Sequence, residues 1–406
     1  LTEALTAPDP ETGEEKKLKD NYHTLLIARD EQGVWEINQA ITNSTDDAHT
    51  YYKNRITFEE FLKLSPHVIT TSACLASPLN KLDVKNPWYE KLVQRYDFLE
   101  IQPHLHRDQI LFNQQLAILS QQYKKPLIAG TDAHSLNPYK AECRGILMDA
   151  KKQSYGDEDS FDLTYKSYDE LVDAFRQQDA IPESMWMEAI QNTNVLADMV
   201  EDFELDLSLK YPKLYGNSEA DREKLVETTW TKFNDKVERG VIPQSEVAGF
   251  QESLPEELRV FEKIDMSGYI LCMSELISWC WENGIPIGPA RGSVGGSRVA
   301  YVTDIIDLDP EKWHTVFSRF ANEDRKEVGD IDVDVIDTDR PRIFEYLINR
   351  FGRAYTARVP TWGTAADKAA IELICMGLRH RWEKERFPET WKKKQIEPDN
   401  PYNVKV

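Results

Sequence analysis

Asp330-Ile331-Asp332-Val333-Asp334-Val335 alternates three carboxylates with three β-branched side chains. No other segment so restricts what the chain can build. In an extended strand successive side chains point to opposite faces. Asp330, Asp332 and Asp334 therefore share one face, and Ile331, Val333 and Val335 the other. Ile and Val favour strands and Asp does not. Three like charges on one face repel and raise one another's pKa. A bound cation relieves that repulsion, and hard carboxylate oxygens suit Mg²⁺. Paired Mg²⁺ ions drive in-line phosphoryl transfer. A solvated acidic edge strand that resists aggregation satisfies the same pattern.

A second segment lies about forty residues earlier. Tyr269 to Trp281 reads as an apolar helix stopped by Asn283-Gly284. Ile285-Pro286-Ile287 reads as a short strand, and Gly288-Pro289-Ala290-Arg291-Gly292-Ser293-Val294-Gly295-Gly296-Ser297 follows it. Val299 to Val302 can open a helix. A Gly/Ser-rich turn between strand and helix offers backbone N–H groups to an anion. Gly288 and Gly292 allow close approach. Ser293 adds a hydroxyl donor, and Arg291 adds a guanidinium that matches phosphate oxygens. No GKS or GKT is present, so this is not a Walker loop. A plain turn is the alternative. Loop plus carboxylate strand is the stronger signal, one element for a triphosphate and the other for the metals that bridge it. Phe317 and Phe320 read as core. Arg319 reads as either a surface or a phosphate-facing charge. Lys368, on a helix of small residues, reads as a DNA or phosphate contact or a solvated charge.

The first half reads as a mostly parallel α/β domain. Its strands are His23–Ala28, Val68–Thr71, Phe98–Ile101 and Pro126–Gly130, with a helix over Gln109–Tyr123 and a helix start over Gly33–Ile41. Residues 1–20 read as loop. Polar residues follow the strands: Cys74, then His104 and His106, then Asp132 and His134. Sites in parallel α/β folds gather there. Asp132-Ala133-His134 is a plausible metal pair with His23 and Cys74 as further ligands; a turn cap beside a hydrogen-bonded histidine is the simpler reading. Residues 150–210 read as helical, with Leu171, Phe175, Ile190 and Val195 inward. Residues 219–265 read as amphipathic helices. Phe344–Phe351 reads as a further helix with Leu347 and Ile348 inward. The Arg379–Lys394 tail reads as a nucleic-acid contact or an exposed amphipathic helix.

The chain has 406 residues, room for two or three domains, and its 70 acids against 49 bases give a net charge of −21. That excludes a general basic coat for nucleic acid, though not a local basic groove. Five scattered cysteines without a CxxC pair fit a reducing cytoplasm. No run of about 18 apolar residues exists, so no membrane span or membrane partner is expected. A leading Leu and a polar opening suggest part of a longer protein.

Gly288–Ser297 resembles the GPGRGS-x-x-GS signature of the bacterial and phage DNA polymerase III α subunits, the family C replicative polymerases. Phe317–Asn322 is similar to their F-x-RF-x-N segment, and Gly329–Asp334 to their PDIDID strand, with Gly329 in place of Pro. Trp362–Ala370 resembles FGT-x-AAKA. In the first half His23-Thr24-Leu25-Leu26, Ser72–Leu75, Leu99–His104 and Thr131–His134 are similar to HLTLLA, SGCL, ELQ-x-H and NDVH of that family's PHP domain, a metal-dependent phosphoesterase fold. The resemblance covers about residues 20–375. It implies an α/β multidomain protein: a PHP domain, distorted and βα-barrel-like, over 1–208, a helical lead-in over 209–265, and a polymerase-β-like nucleotidyltransferase palm over 266–406.

On that resemblance Asp330 and Asp332 hold two Mg²⁺ ions, Asp334 is a third acidic position, and Gly288, Arg291, Gly292, Ser293, Ser297 and Lys368 bind nucleotide or phosphate. His23, Cys74, Asp132 and His134 would take Zn²⁺ or Mn²⁺. The implied partners are primer-template DNA, deoxynucleoside triphosphates, the remaining polymerase segment with fingers, sliding clamp and other replisome subunits. The family's third catalytic carboxylate and its opening HxH metal motif have no counterpart among the matched segments, so neither site is expected to be complete. The alternatives are a PHP-type phosphoesterase or 3′–5′ exonuclease, and a non-catalytic replication scaffold.

Overall fold

In the computed structural model residues 1–9, 12–153, 161–208, 210–323, 329–359, 361, 363–391 and 400–402 are described. Val328, Trp362 and the Lys392–Lys394 end of the basic tail lie outside them. The fold is mixed α/β and rich in helix. Two compact units divide the chain, Leu1–Asp206 with Gly363–Val406, and Leu207–Trp362.

The first unit opens with β1 (Thr6–Pro8) and β2 (Glu15–Lys17), an antiparallel hairpin where a loop was expected. These strands are short and largely polar, so periodicity could not reveal them; Gly13, at φ +73°, supplies the turn. The four expected strands form as β3 (Leu25–Ala28), β4 (Val68–Thr71), β5 (Leu99–Ile101) and β6 (Leu127–Ala129). β5 and β6 are parallel, and an isolated parallel bridge joins Thr71 to Phe98. β3 and β4 are antiparallel, which corrects the mostly parallel reading for that pair. The link between them runs through α1 (Glu31–Ser44), α2 (Phe58–Leu62) and irregular chain. Alternating strands and helices suggested neighbours but could not set direction across so long a link. Asp30 caps α1 by accepting from the Gly33 amide at 2.9 Å, and Thr57 with Glu60 forms a capping box on α2.

The connections around the later strands are α3 (Pro78–Lys81), α4 (Tyr89–Arg95), α5 (Arg107–Tyr123) and α6 (Pro138–Ala150); α7 (Tyr168–Gln178) and α8 (Glu183–Asp198) follow. Phe58, Phe61, Tyr96, Leu99, Phe112 and Phe175 form the centre of this core. Phe175 and Ile190 are buried and Leu171 packs against them, as expected. Val195 is instead exposed: the 3.6-residue period puts it near the edge of the apolar face of α8.

The second unit is built from α9 (Ser218–Glu238), α10 (Val247–Lys263), α11 (Ser267–Glu282), the five-residue α12 (Arg298–Val302) and α13 (Arg340–Phe351). Its core runs through Phe233, Phe250, Phe261, Val294, Val299 and Phe320. A satellite cluster holds Cys280, Ile285, Ile287, Val335, Ile343 and Leu347. The last helix, α14 (Asp367–Arg386), belongs to the first unit and packs on α6, where Arg381 pairs with Asp149 at 2.7 Å and Glu142 at 2.6 Å. Among the described residues no helix is long and apolar enough to cross a membrane.

Candidate nucleotide and metal site

The carboxylate segment keeps its alternation without becoming a strand. Asp330, Asp332 and Asp334 are exposed, while Ile331, Val333 and Val335 are half-buried. Ile331 and Val333 pack on the main core of the second unit, and Val335 on the satellite cluster. Among the described residues the only pairing is one antiparallel bridge, Ile287 to Val335, so both short strands of the sequence reading are corrected to this bridge. Pro286 is the reason. It has no N–H to donate, so the ladder cannot extend past Ile287. The Tyr269 hydroxyl accepts from the Ile331 amide at 3.2 Å instead. Burial raises the pKa of that tyrosine, and the nearby Asp330 and Asp332 charges add to it.

The glycine loop lies directly against these acids. Gly288 N–H donates to the Asp334 carbonyl at 3.0 Å, and a Cβ on Gly288 would sit 3.0 Å from the Asp334 Cβ. Arg291 reaches across them, with Nη1 donating to Asp334 Oδ1 at 2.8 Å and Nε 3.5 Å from Asp332 Oδ2. The bond to Asp334 raises the Arg291 pKa further above its ordinary value. Gly292 has φ +77°, a conformation side chains resist. Gly329 has no room for a side chain, because a Cβ there would lie 2.3 Å from the Phe320 carbonyl oxygen. Gly329→Val will therefore lower the stability of the second unit by about 1–3 kcal/mol or more, visible as a fall in Tm of several degrees. A Tm within one degree of the parent would show that the contact relaxes at no cost.

The other side of the loop faces a cavity of about 610 Å³, lined by Arg291 and Ser293 and, from the following segment, by His314, Thr315 and Arg319. Thr315 Oγ1 donates to the Gly295 carbonyl at 2.8 Å, and the Val316 carbonyl lies 2.4 Å from where a Gly296 Cβ would be. His314 and Thr315 were not read from the sequence as site residues; only their place just before Phe317 hinted at them. Ser297 is buried, and its Oγ donates to Glu257 at 2.8 Å while capping α12 through the Ala300 amide at 3.1 Å. Lys368 lies on α14, in the first unit, and is exposed.

In the first unit His23, Cys74 and Asp132 line a second cavity of about 260 Å³. Cys74 Sγ is 3.5 Å from His23 Nδ1. His134 does not line it; its Nδ1 is 2.6 Å from the Asp132 carbonyl. Glu100 does line it. That carboxyl is buried on β5, accepts from Thr71 Oγ1 at 2.7 Å and Gln102 Nε2 at 2.9 Å, and has its pKa raised by burial. A charged residue inside the apolar run Phe98–Ile101 was the available signal for it. His104 is buried against Phe161, its Nε2 has no hydrogen-bond partner among the described residues, and burial pushes its pKa down to about 4. Among the described residues no three His, Cys, Asp and Glu side chains come together in metal-binding geometry.

Residues 223–397 match the model of the bacterial DNA polymerase III alpha NTPase domain. The DNA polymerase III subunit alpha of Aquifex aeolicus is 30% identical over 385 residues, covering 89% of this chain and 32% of that protein. The corresponding subunit of Thermus aquaticus is 25% identical over 430 residues, covering 89% and 35%. The DNA-directed DNA polymerase of Bacillus phage SPbeta is 24% identical over 444 residues, covering 89% and 33%. The chain spans about a third of the length of these relatives. The matches thus fall on bacterial and phage DNA polymerases as a class. Within that class, the similarity to the DNA polymerase III α subunits extends over 89% of this chain.

Proposed function

We propose that the second unit carries the nucleotidyltransferase palm of a DNA-directed DNA polymerase that acts in replication, in the cytoplasm of a bacterium or an infected host. The observation that supports it most is the apposition of the glycine loop and the carboxylate segment, with Arg291 bridging Asp332 and Asp334. The donor set fits Mg²⁺. Mg²⁺ is held by one or two carboxylates together with substrate phosphates and water, so Asp330 and Asp332 suffice. A guanidinium drawn over two of the acids indicates a local field that favours a cation. Asp330 and Asp332 would hold the ions, whose chemistry when bound would be Lewis acidity toward the primer 3′-hydroxyl and charge neutralisation of the phosphates.

The chain's own groups do the rest. Arg291 and the Ser293 hydroxyl bind the β- and γ-phosphate oxygens from the 610 Å³ cavity. The Tyr269 hydroxyl and the Gly288 amide hold the carboxylate segment in place. The 3′-oxygen attacks the α-phosphorus, the α–β anhydride bond breaks, and pyrophosphate leaves. Primer-template DNA, the deoxynucleoside triphosphate, the remaining polymerase segment, sliding clamp and replisome subunits are the partners this reading implies. It also implies a PHP-type first domain over 1–208 and a helical lead-in over 209–265. Within the expected 266–406 palm, the reading rests on residues up to Trp362, since Gly363–Val406 clusters with the first unit.

The PHP ligand set is a different case. Zn²⁺ sites need three or four converging ligands; His134 does not line the cavity that His23 and Cys74 share, and among the described residues no three such side chains form a metal-binding group. As arranged, these residues do not fit a metal, and no hydrolytic step is derived from them. The polymerase reading is tested by calorimetry of the chain with a deoxynucleoside triphosphate, with and without Mg²⁺. Mg²⁺-dependent binding is expected, and heats equal to dilution in both titrations would overturn it.

A further inference from the structure

We propose that Glu257 is a positioning residue for the nucleotide loop: an internal carboxylate that fills the anion position at the start of α12 and leaves the substrate's phosphates to the Arg291–Ser293 side. This rests on the polymerase reading. Glu257 comes from α10, about forty residues ahead of the loop, and is 2% exposed. Both its oxygens are used. Oε2 accepts from Ser297 Oγ at 2.8 Å and from the Val299 amide at 3.0 Å, and Oε1 accepts from the Arg298 amide at 3.0 Å. Arg298 Nη1 lies 3.6 Å from Oε1, and Arg298 is itself held by Glu311.

Helix starts expose unpaired amides that favour an anion, and the sequence suggests a triphosphate at this one. Here the two leading amides already have a carboxylate. Burying such a group is costly unless its oxygens are satisfied, and these are satisfied by the loop itself. The carboxylate thus ties the end of the loop to α10, while the Val316 carbonyl presses on Gly296 from the other side. What remains open is the cavity face with Arg291 and Ser293.

The test compares the full chain with its Glu257→Gln and Ser297→Ala variants by amide hydrogen exchange and by titration with Mg²⁺ alone and with dATP plus Mg²⁺. Hydrogen bonds to charged groups predict about tenfold or more faster exchange at Arg298 and Val299 in Glu257→Gln. Exchange in α9 should stay unchanged. The Kd for dATP should weaken about tenfold, while the Kd for Mg²⁺ alone stays as in the parent. Ser297→Ala removes one donor from the same carboxylate and should move both readouts in the same direction by less, so the inference stays testable if Glu257→Gln fails to fold. Unchanged exchange at Arg298 and Val299 would overturn the inference. Faster exchange with unaltered dATP affinity would overturn it too, by making the contact merely structural. No dATP binding by the parent chain would overturn the nucleotide reading and this inference with it.

Discussion

Asp330→Ala and Asp332→Ala will each abolish the Mg²⁺-dependent part of deoxynucleoside triphosphate binding. Each will also reduce primer extension by the complete enzyme about a thousandfold or more. The magnitude follows from the several kcal/mol a metal ion supplies to phosphoryl transfer, with about 1.4 kcal/mol for each factor of ten. The fold should not suffer. Both side chains are exposed, and the segment is anchored by Ile331, Val333 and Val335 on its other face. Removing one of three neighbouring like charges relieves repulsion. Thermal unfolding should therefore match the parent within a degree or two. Extension reduced less than tenfold by both substitutions would sink the assignment of these two acids. Asp334→Ala should cost less, since its carboxylate is engaged by Arg291 at 2.8 Å.

Arg291→Ala will change two affinities in opposite directions. Its guanidinium lies over Asp332 and Asp334, where it competes with any cation those acids attract. Its loss frees the acids, so Mg²⁺ alone should bind more tightly, by a few-fold at low salt, because exposed ion pairs contribute only about 0–1 kcal/mol. The triphosphate should bind about 10- to 100-fold more weakly, since a charged hydrogen bond to phosphate contributes roughly 1.5–3 kcal/mol. Arg291→Lys should restore part of the nucleotide affinity, keeping charge but not the bidentate fork. Separate titrations with Mg²⁺, and with dATP at saturating Mg²⁺, check both signs. A parallel loss of both affinities would mean that Arg291 only supports the loop.

Local patterns carried much of the fold. The apolar runs of β3 to β6 and the helix stop at Asn283-Gly284 were read directly, whereas the caps at Asp30 and Thr57 emerged only in the structure. The β1–β2 hairpin could not, because its three-residue strands are too short and polar to show a period. The antiparallel direction of β3 against β4 was equally hidden, since nothing local encodes the route of the long link between them.

At the candidate site the division is sharper. The sequence by itself determined that Asp330, Asp332 and Asp334 share a face, because alternation along extended backbone is a matter of covalent geometry. It also determined that the glycine loop can approach another backbone closely. Only the tertiary structure decided that the loop meets these acids, with Arg291 over two of them, and that Ser297 serves Glu257. It likewise put His314 and Thr315 in one cavity with the loop, and left His134 out of the lining of the cavity that His23 and Cys74 share. Apart from the local contact of His134 with Asp132, these contacts join segments twenty or more residues apart. Core packing chooses them, through Phe320 against Gly329 or Val316 against Gly296, and no periodicity in the chain records that choice.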